Sequence, residues 1–366
     1  MPLYLYILKR ILIALPTVAL VSLLGFTLMR YDFTVGPVHL PRLDGGPAVV
    51  LVPETRIKNP INPLAALEQN PQISKEALAR EKERLGLNRP FWEQYGLWLG
   101  HLFQFHPDAL AKGEWQRFFT PDLGRTFTGD SVSKLLTRHA GNTLLLNIAS
   151  LAVVWLVALP LGLFAALRWR STADRLLTVF SAVGMALPSF VLALLLAVFA
   201  VKTGWFPLGG LTSANFETLP PHLQLLDVLH HLALPVIVLT VIGVAGIQRQ
   251  MRGNLLEVLG AEYVRMARAK GLPENTVIYK HAVRTAINPL VTMMGYEFAA
   301  LLSGSVLIET VLGFPGLGSL TYQAVLQTDT NLVMASLVLS SVMLVLGNLF
   351  ADILLKWVDP RIELSS

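Results

Sequence analysis

The sequence predicts an all-α protein that crosses a membrane several times, and three observations carry that prediction. Of its 366 residues, 53% are hydrophobic and only 14% charged, where a soluble domain carries about 25% charge. The mean hydropathy is +0.56. Apolar runs of about 20 residues, long enough to cross the hydrocarbon layer, recur along the chain. Lipid offers a crossing segment no hydrogen-bond partner for its backbone, so each run is read as α-helix. The chain has no cysteine, which excludes disulfides, thiolate metal sites and a cysteine nucleophile. Its pI of about 9.4 reflects cationic loops that orient a membrane protein rather than a nucleic-acid surface.

Six crossings are expected, over 11–30, 143–167, 176–202, 232–249, 286–308 and 332–355. In the first, Lys9 and Arg10 precede an apolar run from Ile11 to Met29. That run is longer than a signal-peptide core and no small-x-small cleavage site follows it, so it is read as a retained span. Pro16, Pro160, Pro188, Pro235 and Pro289 lie in or near spans. Each removes a backbone donor and permits a bend. Pro235, Gly243 and Gly246 weaken the fourth span.

Orientation follows from the distribution of Lys and Arg. Arg168, Arg170 and Arg175 crowd one short turn, and the 249–285 loop carries Arg249, Arg252, Arg265, Arg268, Lys270, Lys280 and Arg284. The 203–231 and 309–331 loops contain neither residue type. Positive charge is retained inside, so both termini and both basic loops are expected in the cytoplasm. The expected organisation is a first span over 1–30, an external segment over 31–142, a transport core over 143–355 and a cytoplasmic tail over 356–366. Within the external segment 33–63 reads as extended loop, with a short strand at Val49–Val52. Ser74 caps a charged helix that ends near Gly86, and Phe91 to Phe105 reads as an aromatic helix suited to the membrane face.

No phosphate-binding GxxxxGK[ST] loop, HExxH pair or GxSxG elbow occurs, so the chain carries no nucleotide motif of its own. His230 and His231 are adjacent, a spacing that suits interfacial capping better than a shared metal ion. Glu297 falls mid-way along the fifth span, where a charged carboxylate costs at least about 2.5 kcal/mol. It belongs either to a substrate path, facing a cationic group, or to packing. Asp352 and Asn348 are read as structural.

The 262–271 stretch reads as a short cytoplasmic helix between spans four and five. Tyr263, Ala267 and Gly271 recur at i, i+4 and i+8, while Arg265 and Arg268 form a cationic face. Such a helix suits docking to a partner, or serves as an orientation-setting interfacial segment.

The stretch RMARAKGL (Arg265 to Leu272), with Asn288-Pro289 downstream, resembles the EAA motif of permease subunits in bacterial ATP-binding-cassette importers of the dipeptide/oligopeptide/nickel family. Arg265-Met266-Ala267 stands where the general motif has Glu-Ala-Ala. The resemblance extends to the stretches Leu85–Leu99, Asp122–Leu146, Ala186–Gly210, Gly304–Leu320 and Asn348–Ile362. It implies a coupling helix, comprising Tyr263, Arg265, Ala267, Arg268, Ala269, Lys270 and Gly271, that sits in a cleft of a separate ATPase. It also implies a second permease, two ATPase subunits that bind ATP and Mg, an external solute-binding protein, a peptide substrate and the bacterial inner membrane. The chain itself is then neither an enzyme nor the holder of a cofactor or metal. Gly313, Pro315, Gly316 and Gly318 in GFPGLG are read as an outer gate or a re-entrant turn. A secondary transporter or a nickel-chelate permease is the alternative function.

Overall fold

Eleven α-helices account for most of the computed structural model, which describes residues 3–30, 33–35, 38–40, 49–52, 55–57, 74–84, 88–102, 123–126, 128–291, 293, 306–327 and 329–358. They are α1 (Leu3–Arg30), α2 (Lys75–Arg84), α3 (Phe91–Leu102), α4 (Val132–Leu167), α5 (Thr172–Ala186), α6 (Ser189–Thr203), α7 (Pro221–Leu259), α8 (Glu262–Ala269), α9 (Val306–Leu312), α10 (Leu317–Leu326) and α11 (Thr330–Val358). A π-helical stretch, Thr276–Val283, leads into an α-helical run over 284–291. Four short strands precede α2. Of these, β1 (Phe33–Val35) pairs antiparallel with β4 (Thr55–Ile57), and β2 (Val38–Leu40) with β3 (Val49–Val52). Among the described residues the long apolar runs are thus helical, and the expected strand at Val49–Val52 is one of four strands in two small sheets.

Among the described residues α1, α4, α7 and α11 are long and apolar enough to cross a membrane. The expected third crossing is not one helix. α5 and α6 are bent by 100° at Leu187–Pro188. Leu187 is extended (φ −78°, ψ 122°) and so is Pro188, because a proline excludes its predecessor from the helical region. At Pro235, by contrast, α7 continues unbroken through 39 residues. Of its glycines Gly243 lies in a close helix contact, where a Cβ would meet Val154 Cγ2 at 2.7 Å, while a Cβ on Gly246 would meet nothing within 4 Å. The centre of the expected fifth crossing, Glu297 included, lies outside the described residues, as do Gly86, 103–105 and the tail from 359.

The chain divides into two compact units. The first holds residues 1–14, 138–320 and 342–366. Its main core joins Val154 and Ala158 of α4, Val244, Met251 and Leu255 of α7, and Val277, Ala282 and Ala286 of the segment after α8. Arg10 of α1 and Asp352 of α11 form an ion pair at 2.9 Å, and Tyr6 donates to the same carboxylate at 2.7 Å. That contact puts the start of α1 beside the end of α11, and it gives Asp352 the structural role expected of it.

The second unit holds residues 15–137 and 321–341. Here the aromatic face of α3 packs on α1. Phe91 and Tyr95 lie 5.4 Å from the Phe26 ring and Trp98 lies 6.3 Å away, all at helical spacing. Ser22 and Tyr95 share a hydrogen bond of 2.8 Å. Gly25 of α1 faces α11, where a Cβ would meet Leu337 Cδ1 at 2.8 Å.

A buried carboxylate joins the two basic loops. Asp174, 2% exposed, accepts from Arg252 Nη2 (2.9 Å) and from the Arg170 backbone N–H (2.9 Å). Ser171 caps the same helix by accepting from the Asp174 N–H at 3.2 Å. Removing one partner of a buried pair strands the other. Asp174→Ala is therefore expected to cost about 3 kcal/mol, measured as a lowered unfolding midpoint of the detergent-solubilised chain.

Candidate functional site

α7 ends at Gly260, and Ala261 turns the chain straight into α8. α8 is strongly two-faced. Val264 (0% exposed) and Ala267 (8%) belong to the core shared with α4, α7 and the π-helical stretch. Tyr263 (43%) and Met266 (61%) are exposed, as are Glu262, Arg265, Arg268, Ala269 and Lys270. Ala267 therefore packs into its own chain, and the outward surface of α8 consists of Glu262, Tyr263, Arg265, Met266, Arg268, Ala269 and Lys270. The sequence carried the signal in Val264 and Ala267, an apolar pair three residues apart.

The helix is closed by a left-handed glycine. Gly271 has φ +76°, its N–H donates to the Arg268 carbonyl (2.9 Å), and the Leu272 N–H donates to the Ala267 carbonyl (3.4 Å). These are the two bonds of a Schellman cap, whose crossing position favours glycine. Just beyond, Glu274 accepts from Arg268 Nη2 at 2.7 Å. The guanidinium holds that carboxyl below the usual carboxylate range. α8 is thus anchored at its base by apolar packing and fixed at its end by a cap and an ion pair.

A second cluster surrounds GFPGLG. Glu309 of α9, 0% exposed, accepts from Thr143 Oγ1 (3.1 Å) and from the Ser319 N–H (2.9 Å). Thr143 Oγ1 in turn accepts from the Leu317 N–H (2.8 Å), and Asn142 Nδ2 donates to the Pro315 carbonyl (2.8 Å). Gly209 and Gly210, both with positive φ, donate their N–H groups to the carbonyls of Leu312 (3.0 Å) and Gly313 (3.1 Å). Phe314 is buried with Leu146 and Leu232. Three stretches far apart in sequence, around Asn142, Gly209 and Glu309, therefore meet at one loop. Glu309 was not singled out in the sequence, since its partners lie 166 and 10 residues away.

The paired histidines separate: His230 Nε2 donates to the Trp205 carbonyl and His231 Nδ1 to the Asp227 carbonyl, each at 2.8 Å. His230 thus ties the first part of α7 to the stretch before it, while His231 bonds within α7.

A model of the family described as "Binding-protein-dependent transport system inner membrane component" matches residues 158–364. The chain belongs to that family. It is an inner membrane permease component, of a kind that has no ATPase activity of its own. This family member is 35% identical over 361 residues to the oligopeptide transport system permease protein AppB of Bacillus subtilis (strain 168), covering 98% of this chain and 99% of that one. It is 31% identical over 359 residues to the oligopeptide transport system permease protein OppB of Haemophilus influenzae, and 30% identical over 373 residues to the dipeptide transport system permease protein DppB of Alkalihalophilus pseudofirmus, with 98% and 99% coverage in both cases. In this permease the matched region contains α8 and the whole GFPGLG loop, while Asn142 and Thr143, which hold that loop, precede it.

Proposed function

We propose that the chain is the permease subunit of an ATP-driven peptide importer, coupled through α8 to a separate ATPase. The observation that carries this reading is the two-faced α8, rooted in the transport core by Val264 and Ala267 with a cationic outer face. A helix fixed in this way passes a push from a partner into α4 and α7 without folding first. The names of the relatives support peptide as the substrate. The assembly comprises a second permease, two ATPases holding ATP and Mg, and an external binding protein that delivers peptide. Six spans with both termini in the cytoplasm fit the Arg10–Asp352 pair, which requires the two chain ends to share one side. Residues 31–142 then face outside. Glu297 lines the substrate path, and Gly313, Pro315, Gly316 and Gly318 shape the outer gate. ATP closure moves α8 and switches the bundle between outward and inward access, two states biased from opposite ends.

The chain lacks cysteine, so one introduced thiol is unique. In the assembled importer, Tyr263→Cys and Met266→Cys are expected to crosslink to the ATPase at high yield. Ala267→Cys is expected to give at most about one-tenth of that yield, because buried groups are shielded from reagent. Equal yields at 266 and 267, or none at 266, overturn the docking assignment. Peptide uptake into proteoliposomes that proceeds without ATPases overturns the class.

A further inference from the structure

The first unit contains a cavity of about 230 Å³ that the coupling and outer-loop sites do not use. Trp155 of α4, Met185 of α5, Arg249 and Gln250 of α7, and Leu290 and Met293 beyond the π-helical stretch are in its wall. Among the described residues of this lining Arg249 carries the only formal charge. Arg10, Arg252 and Arg268 each hold a carboxylate, at 2.9, 2.5 and 2.7 Å. Arg249 differs from them: among the described residues it has no carboxylate within ion-pair reach, and its guanidinium touches the Met185 thioether at 3.9 Å. It sits three residues, less than one helical turn, before Arg252, on a helix long and apolar enough to cross the membrane. Trp155 adds an indole N–H that is buried and has no acceptor among the described residues. Gln250 donates to Asn254 Oδ1 at 3.3 Å and so is already engaged.

A concave, largely apolar wall with one unneutralised guanidinium and an unused donor is complementary to a carboxylate carrying an apolar body. Met185 and Met293 suit that body because thioether side chains are flexible and fit varied shapes. We infer that this cavity is a carboxylate-binding station on the translocation path, where Arg249 receives the C-terminal carboxylate of the transported peptide. The inference rests on the peptide-import reading and adds a contact to it.

The test uses the complete importer, with its binding protein, in proteoliposomes. The probes are tetra-alanine with a free C-terminus and the same peptide as its C-terminal amide. Each rate is read as the ratio of variant to wild type, so the binding protein's own preference cancels. Arg249→Gln is expected to slow the free acid about tenfold, the equivalent of one charge-assisted hydrogen bond. The amide is expected to change by less than about twofold, because it presents no anion to the guanidinium. Arg249→Lys keeps the charge without the bidentate geometry and is expected to fall between. Equal slowing of both peptides, or of neither, overturns the inference. So does slowing that follows the anionic lipid content of the vesicles, which assigns Arg249 to a lipid phosphate. If the wild type carries neither peptide, the peptide-import reading fails and takes this contact with it.

Discussion

Gly316→Ala is expected to leave the chain in the membrane at its normal level and to remove about nine-tenths of its transport. An alanine Cβ at this position would lie 2.6 Å from Glu309 Oε1 and closer still to the rest of the carboxyl group. Glu309 has nowhere to retreat. One oxygen accepts from Thr143, the other from the Ser319 N–H, and the residue has no exposed surface. Forcing a methyl into so full a space costs about 1–3 kcal/mol. Displacing the carboxylate instead leaves two buried donors without an acceptor, at about 1–3 kcal/mol each. Either way the Gly313–Gly318 turn is dislodged from α4. Uptake by a deletion strain complemented with the variant, alongside the amount of chain in its membranes, is the measurement. Gly253→Ala serves as the control, because its Cβ would meet no atom within 4 Å. Uptake by Gly316→Ala equal to that control removes the loop from the transport cycle.

Gly271→Val is expected to separate ATP hydrolysis from uptake. No atom lies within 4 Å of where its Cβ would be, so the difficulty is not crowding inside the chain. It is the backbone. With φ at +76°, an ordinary L-residue there costs about 1–2 kcal/mol, and a β-branched one fits worst. Valine therefore opens the cap formed by the Gly271 and Leu272 N–H groups and frays the end of α8 that carries Arg268 and Lys270. In reconstituted importers hydrolysis is expected to continue while uptake per ATP falls about tenfold, which corresponds to 1.4 kcal/mol lost at the coupling step. Gly271→Asn, which tolerates the left-handed region, is expected to retain most of the uptake. Equal coupling in the valine and asparagine variants rules out the cap as part of the lever.

Apolar length made four of the expected crossings legible among the described residues, because lipid imposes that constraint on every residue of a span. The short helix α8 was legible too, from its cationic face and its closing glycine. What the sequence concealed was the direction in which that helix turns. Ala267 is small, and a small residue suits either a visitor or the chain's own core; Val264 one turn earlier decides for the core. The break at Leu187–Pro188 was written in the proline, yet Pro235 carries the same signature and breaks nothing. Proline removes one hydrogen bond in both places, and packing of the surrounding helices determines whether the chain bends. Glu309 and Asp174 escaped notice for a different reason. Their partners, Thr143 and Arg252, lie 166 and 78 residues away, beyond any local pattern.

Tyr6 and Asp352, joined by a hydrogen bond, are separated by 346 positions in the chain. During synthesis the first helix enters the bilayer long before its mate exists. The clasp between them can close only after Asp352 of α11 has been made, so the contact between the start of α1 and the end of α11 cannot form early in synthesis. Until that moment the Arg10–Asp352 pair cannot form.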